Sequence, residues 1–415
     1  MSQVSSTEAS RYYKDDSRFP YLIVFSAMLL AIAMWAPLLC IPPIEHIIKE
    51  QLQISHAQTS LLYNIPLWMV GFTALPAGLI ADRIGLKKAG GIGATLIAVG
   101  GILRCTTTDF SLLLVFTFIY GAGFGFAFAS LPKIISAWVP GNKTGIATGI
   151  YSAGIFIGQA LAVSLTLTYI LPLMNSFQGV FLIWSIPAIA AATIWWALLK
   201  EPPLQAKYFD PIKTELVSFW QILKKTLNNK NLLLLATFHA LHLFFYYTWI
   251  GWSPALVMYK GGTPETAGFL SSLTFWVAIP ASFLIPLLAY RLDKSRPFLL
   301  VPAIAMVTAA LIWLYIPIDI GWLPMILVGL ADCTILITVL SLPLVLVSEK
   351  ETGTATGLVL TAGNIGGPIG ALIGGNILDI TGGLNLALFI LIGIGITMIC
   401  MSFRIPEISP KAVLR

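Results

Sequence analysis

Thr144-Gly145-Ile146-Ala147-Thr148-Gly149 returns as Thr352-Gly353-Thr354-Ala355-Thr356-Gly357, an offset of 208 residues. A second pair of landmarks agrees. Ala81-Asp82-Arg83 lies between two long apolar runs, Leu292-Asp293-Lys294 lies between two more, and the aspartates are 211 residues apart. Two landmarks at nearly one offset, in a chain of 415 residues, indicate two homologous halves. A repeat of this length in a very apolar chain predicts two related bundles of membrane helices.

Composition supports the bilayer. The chain is 57% hydrophobic and only 10% charged, whereas a soluble domain carries about 25% charged residues. Such a chain cannot cover itself with polar surface, so lipid must solvate it. The polar stretch up to Arg18 has no signal-peptide pattern, which makes the first apolar run a retained span. Cys40, Cys105, Cys333 and Cys400 fall in or beside apolar runs, far apart. That spacing suits neither a disulfide framework nor a metal site, and the thiols are expected to be buried and inert.

Apolar runs of about 20 residues can cross the hydrocarbon core as helices. Twelve are present, at roughly 20–44, 58–80, 88–107, 110–137, 144–172, 177–199, 232–258, 265–290, 298–317, 321–347, 353–380 and 383–404. Six fall in each half. The expected organisation is an N-terminal six-helix bundle over 1–199, a linker over 200–231 and a C-terminal six-helix bundle over 232–415. With both termini in the cytoplasm, 21 of the 24 Lys and Arg lie on the cytoplasmic side, and only Lys49, Arg104 and Lys260 lie opposite. This is a strong positive-inside asymmetry. The net charge of +6 therefore reads as topology, not as nucleic-acid binding. Within the linker, Ile212 to Leu227 has the pattern of an amphipathic helix on the cytoplasmic face.

The motif after the second span is Gly78-Leu79-Ile80-Ala81-Asp82-Arg83-Ile84-Gly85-Leu86-Lys87-Lys88. Together with twelve spans, a six-plus-six repeat and a long middle loop, it resembles the major facilitator superfamily over nearly the whole chain. Leu86 departs from the family pattern, which usually has a base there, and Ala289 replaces the first glycine of the second copy. The resemblance implies a pseudo-symmetric, all-α, two-bundle membrane fold and transport by alternating access. It also implies that Gly78, Asp82, Arg83, Gly85 and Lys87, with Asp293 and Lys294, form a gating latch on the cytoplasmic side. The physics fits: Gly85 permits a sharp turn, and Asp82 can favour the positive end of a nearby helix. Thr117 stands where proton-coupled members often carry arginine, and Gln159 stands where drug antiporters carry proline. Ala36-Pro37-Leu38-Leu39 through Gly101-Ile102-Leu103-Arg104 is similar to the cyanate and nitroimidazole permease branch, which handles small anionic or compact polar solutes.

Charged groups inside a membrane are expensive and usually functional. Asp332 lies about ten residues from the outer end of the tenth span, roughly 15 Å deep. His239 and His242 lie about 11 and 15 Å from the inner end of the seventh. All three reach the midplane, so Asp332 with one histidine is a candidate proton-coupling pair. His239, His242, Tyr246 and Trp249 share one helix face. Trp35 and Tyr120 are placed to face them across a cavity, and Asn64, Gln159 and Asn364 are polar groups inside spans. An aromatic cavity with few polar groups suits a small organic solute. Arg104 either snorkels outward, pairs with Asp109, or turns inward as an anion hook. Trp252, near the outer boundary, is expected to be an interfacial anchor.

The expected activity is secondary transport of a small organic or inorganic anion, with protons as coupling ion. A compact organic cation such as a quaternary amine is the alternative, through cation–π contact. A transport-like solute sensor is the rival from another class, and measured flux separates the two. No G-x-x-x-x-G-K-[ST] loop is present, so ATP is not expected to drive the cycle. The short outer loops lack the acids, bases or ligands that an enzyme would concentrate there. No cofactor or metal is required. The partners are the solute, the bilayer and protons, with no nucleic acid, and the chain is expected to work as a monomer in the cell membrane.

Overall fold

A segment crosses lipid only if its backbone groups bond internally, so the apolar runs are driven into helices. The computed structural model describes residues 19–139, 141–201, 224 and 226–407. Among these residues there is no strand. The first six spans are Phe19–Leu39, His56–Ile84, Leu86–Arg104, Phe110–Trp138, Gly141–Leu165 and Phe177–Leu198. The seventh is Lys230–Tyr259, and the eighth is split into Pro264–Trp276 and Ala278–Leu292. The last four are Pro297–Tyr315, Trp322–Ser341, Glu349–Thr381 and Asn385–Arg404. Among the described residues, eleven spans pass a joint test of length and apolarity for crossing a membrane. The second, at 29 residues, is about 43 Å long at 1.5 Å per residue, enough to cross as well. The expected linker falls largely outside the described residues, as does the amphipathic helix from Ile212 to Leu227.

Local chemistry sets the ends. Ser55, Asp109, Ser176, Asn229 and Thr263 each accept a backbone N–H at the start of the span that follows. Gly382 closes the eleventh span at φ +66°, a left-handed turn that suits glycine. Two spans differ from expectation where proline removes a donor. The first ends at Leu39 and continues through Pro42–Ile44 into a short helix, Glu45–Leu52. The eighth breaks at Val277, because Pro280 has no N–H for the Trp276 carbonyl.

Glycines let helices touch backbone to backbone. A Cβ on Gly154 or Gly158 of the fifth span would lie 2.7 and 2.8 Å from the Met28 and Ile32 carbonyls of the first. Gly366 and Gly370 of the eleventh span do the same against Ala240 and Phe244 of the seventh, at 2.5 Å each. Such small-residue faces replace the missing hydrophobic drive inside lipid. Large side chains elsewhere point outward, with Tyr315 73% and Leu284 61% exposed. That is an ordinary surface for a chain that lipid covers.

The basic loops gather on one face, which carries two matching caps. Glu201 accepts from the Lys87 and Lys88 amides (3.1 and 3.3 Å) at the start of the third span. Glu407 accepts from the Ser295 and Arg296 amides (2.6 and 3.1 Å) at the start of the ninth. A carboxylate at a helix N-terminus is favoured by the dipole, and the two caps lie at equivalent places in the two halves. Gly85 has φ +103°, and a Cβ there would strike the Glu201 carboxylate. On the opposite face each of the three basic residues has a partner. Lys49 contacts His56 (2.9 Å), and Arg104 donates to the Pro37 carbonyl (3.1 Å). Lys260 donates to the Ile316 carbonyl beside the Trp313 ring, and partial burial lowers its ammonium pKa.

The two halves meet along the second and eleventh spans and along the fifth and eighth. Gly375 of the eleventh lies against Ala57, where a Cβ would sit 3.0 Å from its amide nitrogen. Gly268 of the eighth lies against the Val163 and Ser164 carbonyls at 3.1 and 3.3 Å. Phe156, Ala278, Ala281 and Cys333 form a small buried cluster joining the fifth, eighth and tenth spans. Trp252 belongs to this junction and is not an interfacial anchor. It is 3% exposed and donates to the Ala371 carbonyl at 2.9 Å. Its neighbours Tyr63 and Glu45 line the same small cavity between the halves. Apolar surface supplied by the opposite half buries it, a contact no local pattern announces.

Candidate functional site

Asp332 sits ten residues into the tenth span and is 3% exposed. His239 and His242, one turn apart on the seventh span, are fully buried. His242 Nε2 lies 3.1 Å from Asp332 Oδ1. His242 Nε2 has no aligned hydrogen-bond partner, so the contact is a close charge approach, not a directed hydrogen bond. His242 Nδ1 also lies 3.4 Å from His239 Nδ1. One of those nitrogens must donate and the other accept. The two rings therefore hold at most one extra proton while this contact lasts. His239 rests on Gly363 of the eleventh span, where a Cβ would come within 2.7 Å of its Nε2.

Aromatic rings extend the cluster. The His239 and His242 rings stack at 5.5 Å, and those of His242 and Tyr246 at 6.3 Å. Trp249 leaves this face and packs on Phe245 and Trp313 inside the C-terminal half. Tyr247 meets Tyr63 of the second span edge-on at 6.3 Å. The Asp332 carboxyl lies within electrostatic range of Tyr63, Tyr246 and Tyr247. Tyr63 and Tyr247 were not singled out from the sequence. Each adjoins a residue that was, Asn64 and Tyr246, and that adjacency was the available signal.

The N-terminal half contributes buried polar groups. Asn64 is fully buried and neither amide atom has a hydrogen-bond partner among the described residues. The Tyr63 hydroxyl, Trp35 Nε1 and Gln159 Oε1 are likewise buried without one. Buried polar groups are normally paired, so each of these is an exception within the N-terminal half. Asn364 is occupied in part, donating to the Leu360 carbonyl at 2.9 Å. Its Cβ faces Gly71 across the junction of the halves.

Arg104 and Tyr120 lie apart from the histidines. Arg104 is fully buried, with its guanidinium over the Tyr120 and Phe181 rings at 4.3 and 4.9 Å. Neither snorkelling nor a pair with Asp109 occurs, and Asp109 caps the fourth span at the Leu112 amide. The Pro37 carbonyl that Arg104 holds belongs to the last turn of the first span, where a cation also suits the dipole. The Tyr120 hydroxyl donates to the Met34 carbonyl of the same helix. These two residues flank Trp35, whose ring meets Phe124 edge-on at 5.1 Å. Arg104→Lys is expected to lower stability by about 1–3 kcal/mol, since lysine keeps the charge but loses the planar group that lies over the Tyr120 and Phe181 rings. The thermal midpoint in detergent reads this, and an unchanged midpoint would show that the carbonyl needs no guanidinium.

The gating candidates occupy the basic face. Lys133 donates to the Gly78 carbonyl at 3.1 Å. Gly85 forms the expected sharp turn, and the Lys87 amide is capped by Glu201. Arg83 and Lys294 are exposed, and Asp293 adopts φ +53° at the end of the eighth span. The Asp82 backbone lies in the last turn of the second span, and its side chain is outside the described residues.

Residues 23–371 match the sequence model of the Major Facilitator Superfamily. The chain belongs to that superfamily. It is 24% identical over 277 residues to the uncharacterized transporter YycB of Bacillus subtilis (strain 168), covering 66% of each chain. It is 22% identical over 299 residues to the cyanate transport protein CynX of Escherichia coli (strain K12), covering 71% of this chain and 74% of that one. The 2-nitroimidazole transporter of the same organism is 25% identical over 266 residues, with 61% and 62% covered. These matches span about two thirds of each relative. The fold is that of a bacterial homolog to the human lysosomal transporter Spinster, in an inward-facing and unoccupied conformation. That match has a TM-score of 0.77 at 16% identity and covers 95% of this chain and 98% of that chain. Family and fold are those of transporters rather than enzymes.

Proposed function

We propose that the protein is a secondary transporter that moves a small anion by alternating access, coupled to protons at Asp332, His242 and His239. The observation that carries this reading is the buried Asp332–His242 approach of 3.1 Å with His239 behind it. With Asp332 ionised, one proton on the histidine pair leaves the site neutral. With Asp332 neutralised as well, the same pair is positive and can hold one anion. Proton arrival and anion binding are then linked by charge balance. The similarity to a cyanate transport protein supports a small anion. Asn64, Gln159, Tyr63 and Trp35 would supply the remaining polar contacts.

The basic loops and both termini are assigned to the cytoplasm by the positive-inside asymmetry. The opposite face is closed by Trp252, Tyr63 and Gly375 where the halves meet, which supports a state shut on that side.

A compact organic cation is the second reading. Asp332 beside Tyr63, Tyr246 and Tyr247 is an arrangement that would attract one. Thermal unfolding against cyanate, sulfonates, quaternary amines and neutral nitroimidazoles, over a range of pH, separates the readings. A ligand at 100 times its Kd should stabilise by about 2.7 kcal/mol. Anion hits that strengthen as pH falls support the proposal. Cation hits that strengthen as pH rises would replace it.

A further inference from the structure

Asp379 lies in the last turn of the eleventh span, where a negative charge opposes the dipole of its own helix. Its partner is elsewhere. Oδ1 accepts from the His56 amide and Oδ2 from the Ala57 amide, both at 2.9 Å. These are the first two N–H groups of the second span. The third, on Gln58, is taken by Ser55 Oγ at 3.1 Å, and the fourth, on Thr59, by the Ser55 carbonyl at 3.0 Å. The second span's own cap thus leaves two donors, and a carboxylate from the other half takes both. Gly375, one turn before Asp379, lets the helices approach closely enough.

We infer that Asp379 is a gating residue: it caps the second span across the junction of the halves, and this cap is released each time the face opposite the basic loops opens. The geometry makes the cap specific to one state. When the halves part there, the two amides return to water and Asp379 faces only its own unfavourable helix end. The carboxylate therefore stabilises closure of this face and contributes nothing to its opening. The surrounding groups fit a seal. The His56 ring lies 2.7 Å from Glu45 Oε1 at Nδ1 and 2.9 Å from Lys49 Nζ at Nε2. Since lysine only donates, these contacts fit a neutral ring protonated at Nδ1. They hold the helix start in place for Asp379 to cap.

The test needs no substrate, so it stands or fails separately from the proton-coupled anion reading. Ser60, 6% exposed and one turn inside the seal, is replaced in a background carrying Cys105→Ser and Cys400→Ser. The rate at which a membrane-impermeant maleimide labels Ser60→Cys in detergent reports how often this face opens. Asp379→Ala should raise that rate about 5- to 30-fold, the equilibrium equivalent of losing such a cap. Asp379→Asn, which keeps the shape and one acceptor, should give a smaller rise, and serves if the alanine variant does not fold. Asn376→Ala, in the same turn without a cap, should leave the rate unchanged. Labelling of both Asp379 variants at the parent rate, or an equal rise in Asn376→Ala, would overturn the assignment.

Discussion

Asp332→Asn is expected to exchange solute across a membrane but no longer to concentrate it. One coupled proton falling through one pH unit releases 1.36 kcal/mol. The parent protein should therefore hold about a tenfold solute gradient per pH unit, and the variant a ratio of about one. Asparagine preserves the size of the side chain next to His242 Nε2 and keeps an oxygen near 3.1 Å. What it removes is the charge that balances a proton on the histidine pair. Binding and the rocking of the halves survive, so counterflow of labelled solute should continue. Reconstituted vesicles loaded with the solute selected by thermal unfolding measure both quantities in one preparation. Full accumulation by Asp332→Asn would remove the proton from this site and leave the carrier reading standing without it.

Gly370→Leu should be strongly destabilising. A Cβ at this position would sit 2.5 Å from the Phe244 carbonyl and from Thr248 Oγ1. Backbone cannot yield as a flexible side chain can, so the seventh and eleventh spans must separate. Overpacking of this kind costs about 3 kcal/mol. The spans it would separate carry His239, His242 and Gly363, so the site would be lost with the fold. Gly158→Leu, against the first span at 2.8 Å from the Ile32 carbonyl, should behave alike in the other half. Gly393, where a Cβ would meet nothing within 4 Å, is the matched control. Thermal unfolding in detergent ranks the three. A Gly370→Leu midpoint equal to that of Gly393→Leu would mean that these helices do not need their close approach.

The architecture was legible because lipid leaves few choices. An apolar run of the right length has to be a helix, and a repeated motif 208 residues apart has to mean two related halves. The depth of Asp332, His239 and His242 followed from helix rise alone, which is why the structure finds them on neighbouring spans at one level. Tyr63 and Tyr247 were hidden, since a tyrosine in an apolar span looks the same whether it faces lipid, core or cavity. Trp252 was misplaced for the same reason. Arg104 carried three readings, and the partner it found, the Pro37 carbonyl, is a backbone atom that no side-chain pattern reveals. Glu201, Glu407 and Asp379 were passed over because each lies near a helix end, where acids are common. Their meaning comes from a different helix brought near by folding.

The eighth span is interrupted at Val277, which keeps helical dihedrals (φ −72°, ψ −26°) while the ladder there lacks one bond. A continuous helix transmits a push along its whole length, whereas a broken one has a soft point. Here the soft point is braced on one side, where Gly329 of the tenth span presses against the Thr274 carbonyl and Val277. The rod Pro264–Trp276 is anchored on the fifth span through Gly268, while Ala278–Leu292 carries Leu284, Leu287 and Leu288, at 61%, 62% and 46% exposure. The second arm is held as well, through Ala278 and Ala281 against Phe156 and Cys333, so bilayer force on those leucines reaches the span where it lacks the Trp276–Pro280 hydrogen bond.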